Sequence, residues 1–176
     1  VYLDGKNSRT RETNLGNVVA DAMRQFARAD VAITNGGGIR ADIPRGAIRV
    51  ADVYDALPFD NYVVAVGMKG KELREALEHG VSGLETEDGS FPQVSGLSFV
   101  LSGRSPKGAR VRDMRVGGRP IDFEETYVVA TNDFLAAGGD GYLTFKAIAS
   151  VPRSGPSQAG PGHSPAIVFR DQGRWL

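Results

Sequence analysis

The chain of 176 residues has no cysteine and only two histidines. The absence of cysteine excludes a disulfide scaffold, an iron–sulfur cluster, a cysteine-based zinc site and a thiol nucleophile. His79 and His163 lie far apart in the sequence, and no HExxH, GxSxG or Walker motif accompanies them. We therefore expect no hydrolytic centre within this chain. His79, next to Glu78 on a predicted helix, is expected to be a surface residue.

The sequence also lacks an excess of charge of either sign. Lys and Arg total 21 and Asp and Glu total 21, so the net charge is zero. This balance argues against broad electrostatic capture of DNA, RNA or membrane, and no nucleic-acid partner is expected. No run approaches about 18 apolar residues, which predicts no membrane span. No signal-peptide pattern is recognised, and a start at Val1 is expected of a mature product or a piece of a longer protein.

Hydrophobic periodicity predicts an amphipathic helix that ends before Asp30, with Thr13 or Asn14 at its N-cap. Its predicted buried stripe consists of Leu15, Val18, Val19, Ala22, Met23 and Phe26. The further predicted elements are strand 31–34, helix 50–57, strand 62–68, helix 69–81 and strands 97–101, 111–116 and 127–130. Gly117-Gly118 indicates a hairpin between strands. Interspersed helices and an antiparallel hairpin predict an α+β fold with layered mixed β-sheets.

A single domain is expected over residues 1–176, with its motifs between residues 8 and 146. Eleven of the sixteen residues from 150 to 165 are Gly, Pro or Ser, and His163 lies among them. This composition predicts an extended surface segment. A short apolar run follows at residues 166–169.

Three consecutive glycines follow the first predicted strand. The run from Gly36 to Ala41 matches a GxGxxA dinucleotide-binding turn, but Pro44 stops the helix that such a site requires. A tight turn with positive φ is a second interpretation. The third, which we favour, is that the glycines let the backbone approach a ligand, with Asn35 and Arg40 at the rims.

Three further features each allow a structural and a functional interpretation. Phe134 and Asp140 lie on a glycine-rich loop after a strand, and Phe59 follows a proline at a helix end. Each phenylalanine could serve the core or a ligand, and Asp140 could cap a turn. Arg9 and Arg11 precede a helix N-terminus, where positive charge is unfavourable unless an anion such as phosphate, or Glu12, lies nearby.

Five short motifs occur in the order of one known family. They are Arg11–Asn17, Asn35–Arg40, Leu57–Phe59, Gln93–Gly96 and Asn132–Gly141. On these motifs the chain resembles the C-terminal domain of the 5′-nucleotidase family, which includes ecto-5′-nucleotidase and the bacterial periplasmic UDP-sugar hydrolase/5′-nucleotidase. The resemblance implies an N-terminal metallophosphoesterase domain outside this chain, with two divalent metal ions and a catalytic His–Asp pair. It also implies a periplasmic, extracellular or cell-surface location.

The resemblance assigns roles to residues of this chain, which would supply the nucleoside pocket and no cofactor. Phe59 and Phe134 match the aromatics that sandwich the base, and Asp140 matches the carboxylate that accepts from the ribose hydroxyls. Arg40 matches a phosphate-binding arginine, and either Arg9 or Arg11 matches a second one. The remaining candidates for the substrate site are Asn35, Gly38, Asn61 and Gly96.

The expected activity of the parent protein is hydrolysis of nucleoside 5′-monophosphates, with this chain alone inactive. A 2′,3′-cyclic nucleotide phosphodiesterase or a UDP-sugar hydrolase would use the same pocket and stays an alternative. A thiosulfate-oxidising esterase relative is disfavoured by the phenylalanine pair and Asp140, since its substrate has neither base nor ribose. Two alternatives without catalysis are a stand-alone nucleotide-binding module and an interaction domain that has lost its pocket.

Overall fold

The computed structural model describes residues 1–150 and 167–168. Its helices are α1 (Asn14–Ala27), α2 (Val50–Ala56), α3 (Gly70–Gly80), α4 (Asp133–Ala136) and α5 (Leu143–Ala149). Its strands are β1 (Val31–Asn35), β2 (Val63–Lys69), β3 (Pro92–Ser95), β4 (Leu97–Leu101), β5 (Val111–Val116), β6 (Arg119–Pro120), β7 (Thr126–Asn132) and β8 (Ile167–Val168). Single 3₁₀ turns occupy Gly36–Gly38 and Gly139–Gly141. In the part described, no helix is long and apolar enough to cross a membrane.

The strands form two sheets, which confirms the predicted α+β fold with mixed sheets. Five strands form one sheet in the order β3-β1-β7-β2-β8, and three form an antiparallel sheet in the order β4-β5-β6. Only the β1–β7 pair is parallel among the described strands of the larger sheet. The predicted hairpin at Gly117-Gly118 joins β5 to β6. The extended surface segment predicted at residues 150–165 lies outside the described residues, apart from Ser150.

The larger sheet separates two hydrophobic cores. Side chains alternate along a strand, so Val31 and Ile33 of β1 enter one core while Ala32 enters the other. The first core lies between the sheet and α3, α5 and the smaller sheet, and the second lies beneath α1. Because both of its faces are covered, β1 is apolar along its length apart from its last two residues.

Helix α1 begins where its sequence predicts, because the Thr13 hydroxyl accepts a hydrogen bond from the Gly16 N–H at 3.0 Å. The predicted buried stripe is wrong in part, since Val18, Ala22 and Phe26 are exposed. Small residues decide which face turns inward. Gly16, Ala20 and Ala27 let the helix lie close to the sheet, and Gly16 has no room for a Cβ beside Gln93. The buried stripe is Leu15, Gly16, Val19, Ala20, Met23 and Ala27.

A buried carboxylate ties α3 to the smaller sheet. Glu78 accepts hydrogen bonds from the backbone N–H groups of Arg110 (3.0 Å) and Val111 (2.8 Å). The buried Arg110 guanidinium donates to the Val81 carbonyl at 2.8 Å and pairs with the Glu85 carboxylate. These contacts fix α3, and with it the neighbouring His79, relative to the smaller sheet.

The Thr131 hydroxyl is a buried polar group without a hydrogen-bond partner among the described residues. Burying an unpaired hydroxyl costs about 1–3 kcal/mol. We therefore expect Thr131→Val to raise the free energy of unfolding by about 1 kcal/mol, measured by urea denaturation. The matched control is Thr34→Val, because the Thr34 hydroxyl accepts from Asn132 at 3.2 Å and its loss should destabilise the fold. A loss of stability in both variants would contradict the prediction.

Candidate ligand-binding site

Four strands of the larger sheet place their ends at one edge. The parallel strands β1 and β7 end there, with Asn35 and Asn132 as their last residues. The antiparallel partners β2 and β3 begin there, since Val63 pairs with Asn132 and Pro92 pairs with Asn35. The segments that leave and enter these strands therefore converge, although they are far apart in the sequence.

A chain of hydrogen bonds runs along this edge. The Asn132 side chain accepts from the Leu135 N–H at 2.8 Å, as the N-cap of α4, and donates to Asn35 Oδ1 at 3.1 Å. Asn35 Nδ2 in turn donates to Asp140 Oδ2 at 2.7 Å. Both asparagines are buried, so their amides hold fixed orientations. Sequence reasoning missed Asn132, although an asparagine before a short helix is a typical N-cap.

The loop that carries Asp140 has an unusual backbone. Asp140 lies in the left-handed region with φ of 49°, and Gly138 and Gly141 have φ of 91° and 81°. Aspartate tolerates this region better than most residues, and the two glycines accept it without strain. His79, which was expected at the surface, is only partly exposed, and its Nε2 lies 2.7 Å from the Asp140 carbonyl oxygen.

A cavity of about 270 Å³ opens at this edge. It is lined by Arg9, Asn35, Gly37, Gly38, Arg40, Phe59, Asn61, Gly89, Phe134 and Asp140. Eight of the ten residues that the sequence singled out are among them. Gly37 and Gly89 complete the wall.

Gly37 and Gly89 lie in close contact, which leaves little room for a side chain at either position. The Gly37 N–H donates to the Gly89 carbonyl at 2.9 Å, and a Cβ on Gly37 would lie only 2.7 Å from Gly89 Cα. Sequence reasoning missed Gly89, whose only signal is its place in the short Asp88-Gly89-Ser90 segment. The close approach brings the loop before β3 against the loop after β1.

Two aromatic side chains face the cavity with much of their surface uncovered. Phe59 is 52% exposed and Phe134 is 43% exposed. The Phe134 ring lies against Gly139, where a Cβ would approach the ring to 2.5 Å. Exposed aromatic surface in a concave site is available to stack on a planar ligand.

Two arginines bring positive charge to the same cavity. The nearest hydrogen bonds of Arg9 and Arg40 are weak, at 3.5 Å from the Glu87 and Gly37 carbonyl oxygens. Neither arginine forms a salt bridge with another described residue. Their guanidinium groups are therefore available to an anion.

Two residues of the predicted set are placed elsewhere. Arg11 forms an exposed ion pair with Asp4 at 3.3 Å and does not line the cavity. Gly96 lies in the turn between β3 and β4 with φ of 69°, packed against the Asp30 carbonyl. Of the two candidate arginines near the N-terminus, the structure thus brings Arg9 to the cavity.

Tyr142 directly follows the turn that contains Asp140, and its buried side chain supports this loop. Burial, with the carboxylates of Asp140 and Asp88 adding to it, raises the pKa of Tyr142 far above its usual range. The hydroxyl therefore stays protonated and donates to the Ser90 carbonyl at 2.7 Å. No group of three or more His, Cys, Asp or Glu residues able to hold a metal ion occurs among residues 1–150 and 167–168.

Comparisons with known proteins identify the family of the chain. The model of the family "5′-nucleotidase, C-terminal domain" matches residues 2–147. The trifunctional nucleotide phosphoesterase protein YfkN of Bacillus subtilis (strain 168) is 44% identical over 156 residues, which cover 82% of this chain and 11% of that protein. Protein UshA of Escherichia coli (strain K12) is 37% identical over 142 residues, which cover 80% of this chain and 25% of that protein.

A solved structure of a relative has the same fold over nearly the whole chain. The 5′-nucleotidase precursor from Thermus thermophilus superposes with a TM-score of 0.83 at 40% sequence identity. The match covers 96% of this chain and 32% of that one. The chain therefore spans a third or less of the length of these relatives.

Proposed function

Because the chain belongs to the family of 5′-nucleotidase C-terminal domains, we propose that its cavity binds a nucleoside 5′-monophosphate or a related nucleotide. The observation that carries the proposal is the combination in one cavity of two half-exposed phenylalanines, one carboxylate and two arginines that form no salt bridge with another described residue. These are the groups that a flat base, a sugar with two hydroxyls and a phosphate require.

Each part of the ligand has a matching group. Stacking of a base on an aromatic side chain contributes ~1–3 kcal/mol and tolerates different bases, which suits Phe59 and Phe134. Asp140 has one carboxylate oxygen occupied by Asn35, while Oδ1 accepts no hydrogen bond from another described residue. Oδ1 is thus the acceptor that we assign to the ribose hydroxyls. The phosphate is assigned to Arg40 and Arg9.

In the parent protein, we propose hydrolysis of the nucleotide by an N-terminal metallophosphoesterase domain. Two divalent ions bound there would supply an activated water for attack on the phosphorus. The role that we assign to this chain is to position the substrate, because binding of base and ribose would orient the phosphate toward the other domain. The proposed location of the parent is periplasmic, extracellular or at the cell surface.

Two alternatives use the same cavity. The parent protein could be a 2′,3′-cyclic nucleotide phosphodiesterase or a UDP-sugar hydrolase, since the assigned groups contact the nucleoside that all three substrates share. A third alternative is not an enzyme but a stand-alone nucleotide-binding module. The activity of the natural full-length protein on AMP, 2′,3′-cyclic AMP and UDP-glucose separates these possibilities.

Calorimetric titration of the 176-residue chain with adenosine and with AMP tests the proposal. We expect both to bind, and AMP to bind more tightly at low salt because the arginines attract its phosphate. Absence of binding by both ligands at millimolar concentration would overturn the proposal that this chain alone forms the pocket. Binding of AMP without any binding of adenosine would overturn the assignment of the base and ribose contacts.

The pair Arg9 and Arg11 provides a matched test of the phosphate contact. Arg9→Ala should weaken AMP binding roughly tenfold, because a charge-assisted hydrogen bond is lost. Adenosine binding should change little in the same variant. Arg11→Ala removes an equal charge two residues away, outside the cavity, and should leave both affinities within about twofold of the wild type. Equal losses of AMP affinity in the two variants would indicate a general charge effect and contradict the assignment.

A further inference from the structure

Asp140 is held through its backbone as well as through its carboxylate. Asn35 fixes the carboxylate from within the cavity, and His79 of α3 contacts the Asp140 carbonyl oxygen from outside it, at 2.7 Å from Nε2. A carbonyl oxygen only accepts hydrogen bonds, so Nε2 must carry the proton. The contact joins the helix to the residue at which the loop adopts its left-handed turn.

The His79 ring itself has little freedom. It meets the buried Tyr142 ring edge-on, with 5.0 Å between centroids and an interplanar angle of 78°. A Cβ on Gly141 would lie 2.7 Å from His79 Cε1, so the loop backbone lies directly on the ring. Since α3 is itself anchored through Glu78, the imidazole is a rigid support for the loop.

We propose that His79 is a positioning residue for ribose recognition: its Nε2–H fixes the Asp140 turn so that the free carboxylate oxygen faces the sugar hydroxyls. This inference rests on the proposed function, because it concerns how the same cavity distinguishes its ligand. Two anchors are needed since Asn35 restrains only one carboxylate oxygen. Without the second anchor, the loop between Gly138 and Gly141 could rotate, because both glycines permit a wide range of φ and ψ.

Two substitutions of His79 distinguish a packing role of its ring from a hydrogen-bonding role of its Nε2–H. The variant His79→Phe keeps an aromatic ring against Tyr142 but has no donor. The variant His79→Gln loses the ring but keeps an N–H group at a position close to that of Nε2. The exposed Glu75 of the same helix supplies the control substitution Glu75→Gln.

The first experiment needs no ligand. Nitrogen NMR of the wild-type chain should show the neutral His79 ring protonated at Nε2. Amide hydrogen exchange should be slow for Gly141 and Tyr142, whose N–H groups close the turn on Gly138 and Gly139 at 3.2 and 3.1 Å. His79→Phe should accelerate exchange at these two amides about three- to tenfold, the loss expected for one hydrogen bond. An Nδ1-protonated ring, or unchanged exchange, would overturn the inference.

The second experiment uses calorimetry to compare adenosine with 2′,3′-dideoxyadenosine, which lacks both ribose hydroxyls. His79→Phe should weaken adenosine binding about three- to tenfold and change 2′,3′-dideoxyadenosine binding by less than about twofold. His79→Gln should recover most of the loss, and Glu75→Gln should match the wild type. Equal weakening of both nucleosides would show a purely structural role. If the wild type binds neither nucleoside, the assignment of the base and ribose contacts fails and ribose recognition with it, while the exchange and tautomer results still decide whether His79 holds the turn.

Discussion

Replacing Phe134 with alanine should weaken adenosine binding by tenfold or more, and Phe59→Ala should do the same. Loss of stacking on one face of a base costs ~1–3 kcal/mol, or roughly 5- to 150-fold in affinity. Neither change should lower stability much, because about half of each side chain is already exposed to solvent. Calorimetry with adenosine measures the affinities, and urea denaturation measures the stability.

A third phenylalanine of similar exposure serves as the control. Phe123 is 42% exposed but does not line the cavity, so Phe123→Ala should leave adenosine affinity within about twofold of the wild type. Normal binding in both Phe59→Ala and Phe134→Ala would show that the two rings do not hold the base. A large loss in only one variant would place the base against that ring alone.

The isosteric change Gln93→Glu should destabilise the fold by roughly 2–6 kcal/mol. Gln93 is 1% exposed, and its Nε2 donates to the carbonyl oxygens of Ser8 (2.8 Å) and Arg11 (2.7 Å). A carboxylate oxygen in that position repels both carbonyls and leaves them without a donor, at about 1–3 kcal/mol each. The midpoint of urea denaturation measures the effect.

The same change should also affect the candidate site. Gln93 Oε1 accepts from the Thr13 N–H at 3.1 Å, so one side chain fastens the whole segment that carries Arg9. We expect Gln93→Glu to reduce the preference for AMP over adenosine in the fraction that remains folded. The control Gln25→Glu lies on the exposed face of α1 and should cost less than about 0.5 kcal/mol. Equal destabilisation by both changes would contradict the role of Gln93.

Local sequence patterns were sufficient for most elements of this fold. The period of α1, the apolar run of β1 and the glycine pair between β5 and β6 each carry their own signal, and the structure confirms all three. Strand β3 has no such signal because it begins with Pro92, which lacks an N–H group. Proline is tolerated there because β3 lies at the edge of its sheet.

Tertiary contacts decide what the local patterns leave open. The apolar stripe of a helix does not show which flank of the stripe faces the core. In α1, the small residues Gly16 and Ala20 determine which flank is buried. The choice between Arg9 and Arg11 depends on how Gln93 holds their segment, a contact across more than 80 residues. His79 has no signal in its own helix because its role depends on a loop 61 residues away.

The candidate site was accessible from sequence mainly through its motifs. The placement of Phe59, Phe134, Asp140 and Arg40 in one cavity agrees with the family resemblance. Composition and periodicity alone left each of these residues with a structural alternative. Gly96 illustrates the limit of a motif, because the structure places this residue against Asp30 and away from the cavity.

The hydrogen bond from Asn35 to Asp140 links residues 105 positions apart, and β1 pairs with β7 across a similar separation. Contacts of such long range form slowly, because the intervening chain must lose its freedom before they are made. During synthesis on a ribosome, the pocket cannot exist until residue 140 has emerged, which happens after the residues of β5 and β6 have emerged. A nucleoside present in a refolding mixture would therefore stabilise only chains in which these distant segments have already come together.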